Sequence, residues 1–182
     1  MSFPKTLTLN TKNLKLRIPS LDDIPTIFSA SRYEGFTDGM LWEPPEKEED
    51  CINPYYSSIK AWEEGGGYTF AIDQRATQEF VARIVIRKTK EADIWNIGFW
   101  THPKFQGKGI MTEAVEAILR FGFEQLGAKQ IEAAYATWNK GSEKVLQRNG
   151  FTHVRLIEQG YFKHGKWVAE HLVAINRTDW NK

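Results

Sequence analysis

The stretch from Thr101 to Leu126 constrains this chain more than any other. A strand pattern ends at Thr101, a loop carrying Gly107 and Gly109 follows, and a strong helix pattern begins at once. The helix predicted over Gly109–Leu126 has a polar stripe of Glu113, Glu116, Arg120 and Glu124 at steps of three and four, with apolar residues opposite. Glu116 and Arg120 form an i,i+4 pair in the favoured orientation, and Gly127 stands where a C-terminal cap belongs. A strand feeding a helix through a glycine loop requires a fold that mixes the two.

The rest of the chain supplies the other elements. Leu14–Ile18 alternates apolar and basic residues, the period of a half-buried strand. Ser20 with Asp23 three residues on reads as a helix N-cap, and Leu21, Ile24, Ile27 and Phe28 share one helix face that ends before Gly35. A loop from Gly35 to Pro45 follows. Asn53-Pro54 predicts a second helix start, stopped by Gly65-Gly66-Gly67. Tyr68–Asp73, Glu79–Arg87 and Asp93–Thr101 read as three strands of an antiparallel meander. After the central helix come a strand at Ile131–Ala136, a helix at Asn139–Asn149 ended by Gly150, and strands at Thr152–Phe162 and Lys166–Ile175. The order is β-α-α-β-β-β-α-β-α-β-β, a mixed α/β fold expected to form one domain over 1–182.

Charge and cysteine content narrow the function classes. With 24 basic and 23 acidic residues the chain lacks the basic excess usual in nucleic-acid binders. One cysteine, Cys51, excludes an internal disulfide framework and fits a reducing compartment. No apolar run approaches the roughly 20 residues of a transmembrane helix, and Met1–Lys5 has no secretory h-region, so a cytoplasmic protein without membrane partners is expected. His102, His153, His164 and His171 show no metal-ligand spacing. Ordinary surface or strand histidines explain them, and no metal is expected.

The loop carries the chemistry. Backbone N–H groups at a helix start can hold an anion, two glycines let backbone approach a phosphate, and Lys108 adds positive charge. A P-loop would need Ser or Thr after Gly107-Lys108, where Gly109 stands. A dinucleotide fingerprint would need a third glycine where Thr112 stands. Alone, the segment also reads as a tight turn.

Two blocks together go further. Gln106-x-x-Gly109 between a strand and this helix resembles the acetyl-CoA-binding motif of the GNAT superfamily of N-acetyltransferases. Trp138-Asn139-x-x-Ser142-x-x-x-Leu146-x-x-Asn149-Gly150-Phe151 resembles that family's downstream motif. The run Gly107-Lys108-Gly109-Ile110-Met111-Thr112-Glu113-Ala114, with Asn139 and Ser142, looks most like the ribosomal-protein N-terminal acetyltransferases of the Rim type. The resemblance spans about Leu14 to Ile175. It implies a central, mostly antiparallel sheet splayed between its fourth and fifth strands, with helices on both faces.

It further implies that backbone N–H groups from Gly107 through Lys108, Gly109, Ile110 and Met111 to Thr112 wrap the pyrophosphate of acetyl-CoA, with Gln106 opening the motif. The main chain of Phe99, Trp100 and Thr101 would pair with the pantetheine arm, and Asn139 and Ser142 would lie near the sulfur. Many members place a tyrosine where this chain has Leu146, so the catalytic proton donor here falls to Ser142. Glu43, in the Pro-rich loop beside Trp42, is the candidate general base. Asn139 is equally a natural N-cap, Ser142 equally a first-turn cap residue, and Trp42 equally a cover for the core edge. The run Glu46–Asp50 reads as a solvated approach to a helix, or as a surface that greets a cationic acceptor. The partners so implied are acetyl-CoA and an amine, foremost a protein N-terminus. A small amine (polyamine, antibiotic or amino-acid derivative) and a non-catalytic CoA-binding module are the alternatives. A homodimer stays open.

Overall fold

The computed structural model describes residues 2–180. Its strands are Thr8–Asn10 (β1), Leu14–Arg17 (β2), Gly67–Gln74 (β3), Phe80–Lys88 (β4), Ile94–Thr101 (β5), Gln130–Ala136 (β6), Thr152–Lys163 (β7) and Lys166–Asn176 (β8). Its α-helices are Ile24–Ser31 (α1), Ile52–Glu64 (α2), Ile110–Arg120 (α3) and Lys140–Arg148 (α4). The strands form one sheet in the order β1-β2-β3-β4-β5-β6-β8-β7. Every pairing is antiparallel except that between β5 and β6.

That parallel ladder is short. It runs from Ile94 opposite Gln130 to Ile97 opposite Ala133 and stops, although β5 continues to Thr101 and β6 to Ala136. Each strand remains paired on its outer side, β5 with β4 and β6 with β8. The sheet therefore opens as a V at the far ends of β5 and β6, the fourth and fifth strands of the sequence reading, where the resemblance places the splay.

The two faces bury different sets. On one, the row Phe70, Ile84, Phe99 crosses β3, β4 and β5, and α3 covers it with Ile110, Met111, Ala114, Val115, Ile118 and Leu119. On the other, Ile24, Ile27 and Cys51 form a smaller cluster against Trp42, Ile52, Phe80 and Trp100. Strand β2 pairs only Ala71–Gln74 of β3, and α2 packs along the remainder. There Trp62 meets Tyr68 and Phe70 with ring centroids 5.1 Å apart.

Three elements differ from the sequence reading. Strand β1 was not expected: three residues carry too short a pattern, and the strand exists because Leu9 pairs with Leu16. Helix α2 begins at Ile52, so Asn53 lies inside it and is not its cap. A 3-10 turn, Glu48–Cys51, precedes it, and the Asp50 carboxylate accepts the N–H groups of Glu46 and Lys47, both at 3.1 Å. The acidic run is thus the start of the helix. The central helix turns π-helical over Phe121–Gln125. Gly122 sits there because a Cβ would come within 2.6 Å of Ile131 and 2.9 Å of Ile86.

Candidate active site

The junction from β5 to α3 is built to leave N–H groups free. After Thr101, His102 is only 3% exposed, which corrects its reading as an ordinary surface or strand histidine. Its Nδ1 accepts the Lys104 N–H at 3.2 Å, so the ring proton sits on Nε2, 3.3 Å from the Ser29 hydroxyl. Burial, and then the charge of Lys104, push its pKa down and keep the ring neutral. The Gln106 side chain donates to the Thr101 carbonyl at 3.1 Å and folds the loop back on the strand end. Gly107 and Gly109 then take φ of +75° and +78°, and a Cβ at either would meet nothing within 4 Å.

Gly109 is the N-cap of α3, and no side chain caps that end. Among the described residues, no acceptor is hydrogen-bonded to the backbone N–H groups from Gly107 to Thr112; the first such donor is Glu113, to the Gly109 carbonyl. Unpaired donors at the positive end of a helix dipole, beside open space, fit a diphosphate group. Beside them lies a cavity of about 280 Å³ whose wall includes Lys12, Arg75, Lys108 and Glu113.

Two clamps hold this cradle. The Glu113 carboxylate accepts from the Thr11 hydroxyl (2.6 Å), the Asn13 N–H (2.8 Å) and the Asn13 side chain (3.0 Å). Burial opposes its ionisation, but these bonds outweigh burial and hold its pKa below the usual value. The Asn149 side chain donates to the carbonyls of Thr112 (3.2 Å) and Val145 (2.9 Å), tying the end of α4 to the start of α3.

The open V brings Phe99, Trp100 and Thr101 opposite Ala134–Ala136 with no ladder between them. Tyr135 points from the open end of β6 into the α3 side of the core, and burial raises its pKa. At the start of α4, Asn139 is the N-cap, accepting the Ser142 N–H at 3.1 Å. The Ser142 hydroxyl has no partner among the described residues. Leu146, where the family's tyrosine would stand, is 1% exposed and belongs to the main core.

The loop between α1 and α2 closes the other side of the V. Lys163, near the tip of the β7–β8 hairpin, is buried, and its ammonium donates to the carbonyls of Thr37 (2.7 Å), Met40 (2.8 Å) and Trp42 (2.8 Å). The Tyr161 hydroxyl donates to the Asp38 carbonyl at 2.7 Å. Gly39 lies against α4, where a Cβ would stand 3.0 Å from the Asn139 side chain. Glu43 is brought 3.6 Å from the Lys163 ammonium, but its side chain is 68% exposed. The structure thus sets Phe99–Thr101 and Gln106–Thr112 on consecutive segments at the open end of β5, puts Asn139 and Ser142 at the start of α4 just after the open end of β6, and leaves Glu43 exposed beside Lys163.

Residues 13–152 match the family described as acetyltransferase (GNAT) domain. The chain belongs to the GNAT acetyltransferase family. As a GNAT enzyme it is an N-acetyltransferase, and relatives of the Rim type are among its matches. An uncharacterized N-acetyltransferase of Bacillus subtilis (strain 168), YoaA, is 26% identical over 86% of this chain and 89% of its own length. The ribosomal protein uS5-alanine N-acetyltransferase of Escherichia coli (strain K12) is 27% identical over 76% of this chain and 75% of its own. Among solved structures, the ribosomal L7/L12 alpha-N-protein acetyltransferase RimL in complex with coenzyme A superposes with a TM-score of 0.84. That match has 18% identity and covers 93% of this chain and 98% of RimL. Both faces of this GNAT sheet carry helices, as the resemblance implies. No helix among the described residues is long and apolar enough to cross a membrane.

Sequence reasoning passed over four residues of this GNAT site. Glu113 reads as part of a polar stripe, Asn149 as the end of a helix and Tyr135 as one residue of a short strand, while Lys163 falls between two predicted strands and is given no role. Only Asn149 carried a signal, since it falls within the downstream motif.

Proposed function

We propose that this enzyme moves the acetyl group of acetyl-CoA to the α-amino group at the N-terminus of a protein, of ribosomal-protein type. The observation that carries the cosubstrate is the run of N–H groups from Gly107 to Thr112 that have no acceptor among the described residues, in a loop with open space beside Gly107 and Gly109. These groups, with Lys108, hold the pyrophosphate, and the exposed main chain of Phe99, Trp100 and Thr101 pairs with the pantetheine arm. Backbone donors on that strand end stabilise the negative charge that develops on the carbonyl oxygen. The thioester is already activated, so the enzyme's main work is to align an amine with its carbonyl.

The acceptor reading rests on the uS5-alanine acetyltransferase likeness and on proton chemistry. An α-amine with pKa near 8 is about one-tenth neutral at pH 7, whereas a lysine side chain is neutral about once in 2,500. An acceptor of the first kind needs little from a general base. Glu43, exposed at the rim, serves at most to accept the released proton. Thiol release from acetyl-CoA should be fastest with short peptides bearing a free N-terminus. Turnover confined to polyamines or amino-acid derivatives would overturn the protein-N-terminal reading, and no thiol release with any amine would overturn catalysis.

Ser142 is the proposed proton donor to the leaving thiolate. A positioned donor contributes about 10²–10⁴-fold in rate, and Ser142→Ala is expected to lower kcat by at least about tenfold. Acetyl-CoA affinity should change much less, because backbone makes most of the proposed contacts. Full turnover in Ser142→Ala would make Ser142 a cap residue only.

A further inference from the structure

Among the described residues, Arg83 is a cation without a counter-ion. It lies on β4 between Ala71 of β3 and Trp100 of β5, so Arg17, Ala71, Arg83 and Trp100 form one row across the sheet face opposite α3. At the outer end of that row Arg17 is fully matched. It reaches Asp23 at 2.7 and 3.0 Å and Asp73 at 2.7 and 2.9 Å. Both nearby carboxylates are thereby used. Among the described residues Arg83 has neither a hydrogen bond nor an ion pair. Burial lowers its pKa, with Asp23 and Cys51 opposing the effect only at a distance. Arg83 keeps some exposure to solvent, so its unmatched charge is partly screened, and a ligand that brings the opposite charge gains a direct ion pair there.

The guanidinium has somewhere to receive such a ligand. Arg83 lines a small cavity under α1 and the first turns of α2, with Ile24, Ile27, Trp42 and Tyr55 among its walls. Its volume of about 30 Å³ admits about two water-sized groups, the size of a carboxylate's two oxygens. Trp42 and Trp100 pack on the same apolar cluster, so the cavity stands one strand away from the open end of β5. The Gly107–Thr112 cradle leads into α3 on the opposite face. A cosubstrate held from that face leaves Arg83 on the side from which the amine arrives.

We infer that Arg83 and its cavity are an anion subsite of the acceptor, so that the enzyme selects amines carrying a carboxylate close to the reacting nitrogen. In a protein N-terminus that group is an Asp or Glu side chain near the first residue; in a small acceptor it is the molecule's own carboxylate. The inference deepens the proposed function and rests on its placement of the acceptor.

The test compares acetylation of matched peptides that differ only by Glu or Gln at the second or third position, and of a free amino acid against its amide. The acidic member is expected to show kcat/KM at least about tenfold higher at one position, the scale of a charge-assisted hydrogen bond. Arg83→Met should collapse that ratio towards one, the loss falling on the acidic member, and Arg83→Lys should keep part of it. Because Arg83→Met removes a partly exposed charge that makes no hydrogen bond or ion pair among the described residues, the variant should melt close to the parent. A ratio near one in the parent, or an equal fall for both members in the variant, overturns the inference. If only the amino-acid pair is turned over and it shows the ratio, the subsite stands and the protein-N-terminal reading falls. If peptides are acetylated without preference, the reading stands and the subsite falls.

Discussion

Replacing Gly109 by valine is expected to abolish the rise in melting temperature that acetyl-CoA gives the parent protein, and to lower kcat/KM by at least about 100-fold. A ligand present at 100 times its Kd stabilises the native state by about 2.7 kcal/mol. For a chain of this size that shifts Tm by about 5–10 °C. Gly109 sits at φ +78° as the cap of α3, a backbone conformation that costs a β-branched residue about 1–3 kcal/mol. Since no atom lies within 4 Å of a Cβ there, the variant still folds. What changes is the cradle. To escape the strain the backbone rotates and re-aims the N–H groups from Gly107 to Thr112, while the new side chain enters the space proposed for the pyrophosphate. A full acetyl-CoA shift in folded Gly109→Val would mean that the phosphates bind elsewhere.

This cradle was legible in the sequence because all its parts are local. The strand end, two glycines and helix start lie within a dozen positions, and each is signalled by period or by residue type. The Asn139 cap and the Ser142 N–H it accepts are three residues apart, again a local pattern. Glu113 was not legible. Its partners Thr11 and Asn13 lie about a hundred positions earlier, so the carboxylate that anchors α3 looks like any other member of a polar stripe. Arg83 was hidden because a charged residue between apolar neighbours in a strand pattern, here Ala82 and Ile84, reads as facing water. The V itself was placed by resemblance alone. Nothing in the composition of Gly98–Thr101 or Ala134–Ala136 marks where a ladder stops.

Lys163 is the extreme case, and its loss should be felt in both stability and acceptor use. Its ammonium is held by three backbone carbonyls of the loop between α1 and α2, acceptors that every residue type offers and no sequence pattern marks. Lys163→Met keeps the stem's bulk but strips those carbonyls of their donor, each at a cost of about 1–3 kcal/mol if left unpaired. The loop is peripheral enough to recover some bonds to water, so a net loss of about 3 kcal/mol is expected, lowering Tm by about 6–12 °C. Arginine should not rescue it, because a planar fork does not present three donors around one point as an ammonium does. On the proposed reading this loop is the acceptor wall, and it also carries Glu43 and the Gly39 contact to Asn139. KM for the acceptor should therefore rise at least about tenfold, while the acetyl-CoA-induced shift, which depends on the untouched Gly107–Thr112 loop, persists. A variant that loses stability but keeps its acceptor KM would make Lys163 a structural clamp and place the acceptor away from this loop.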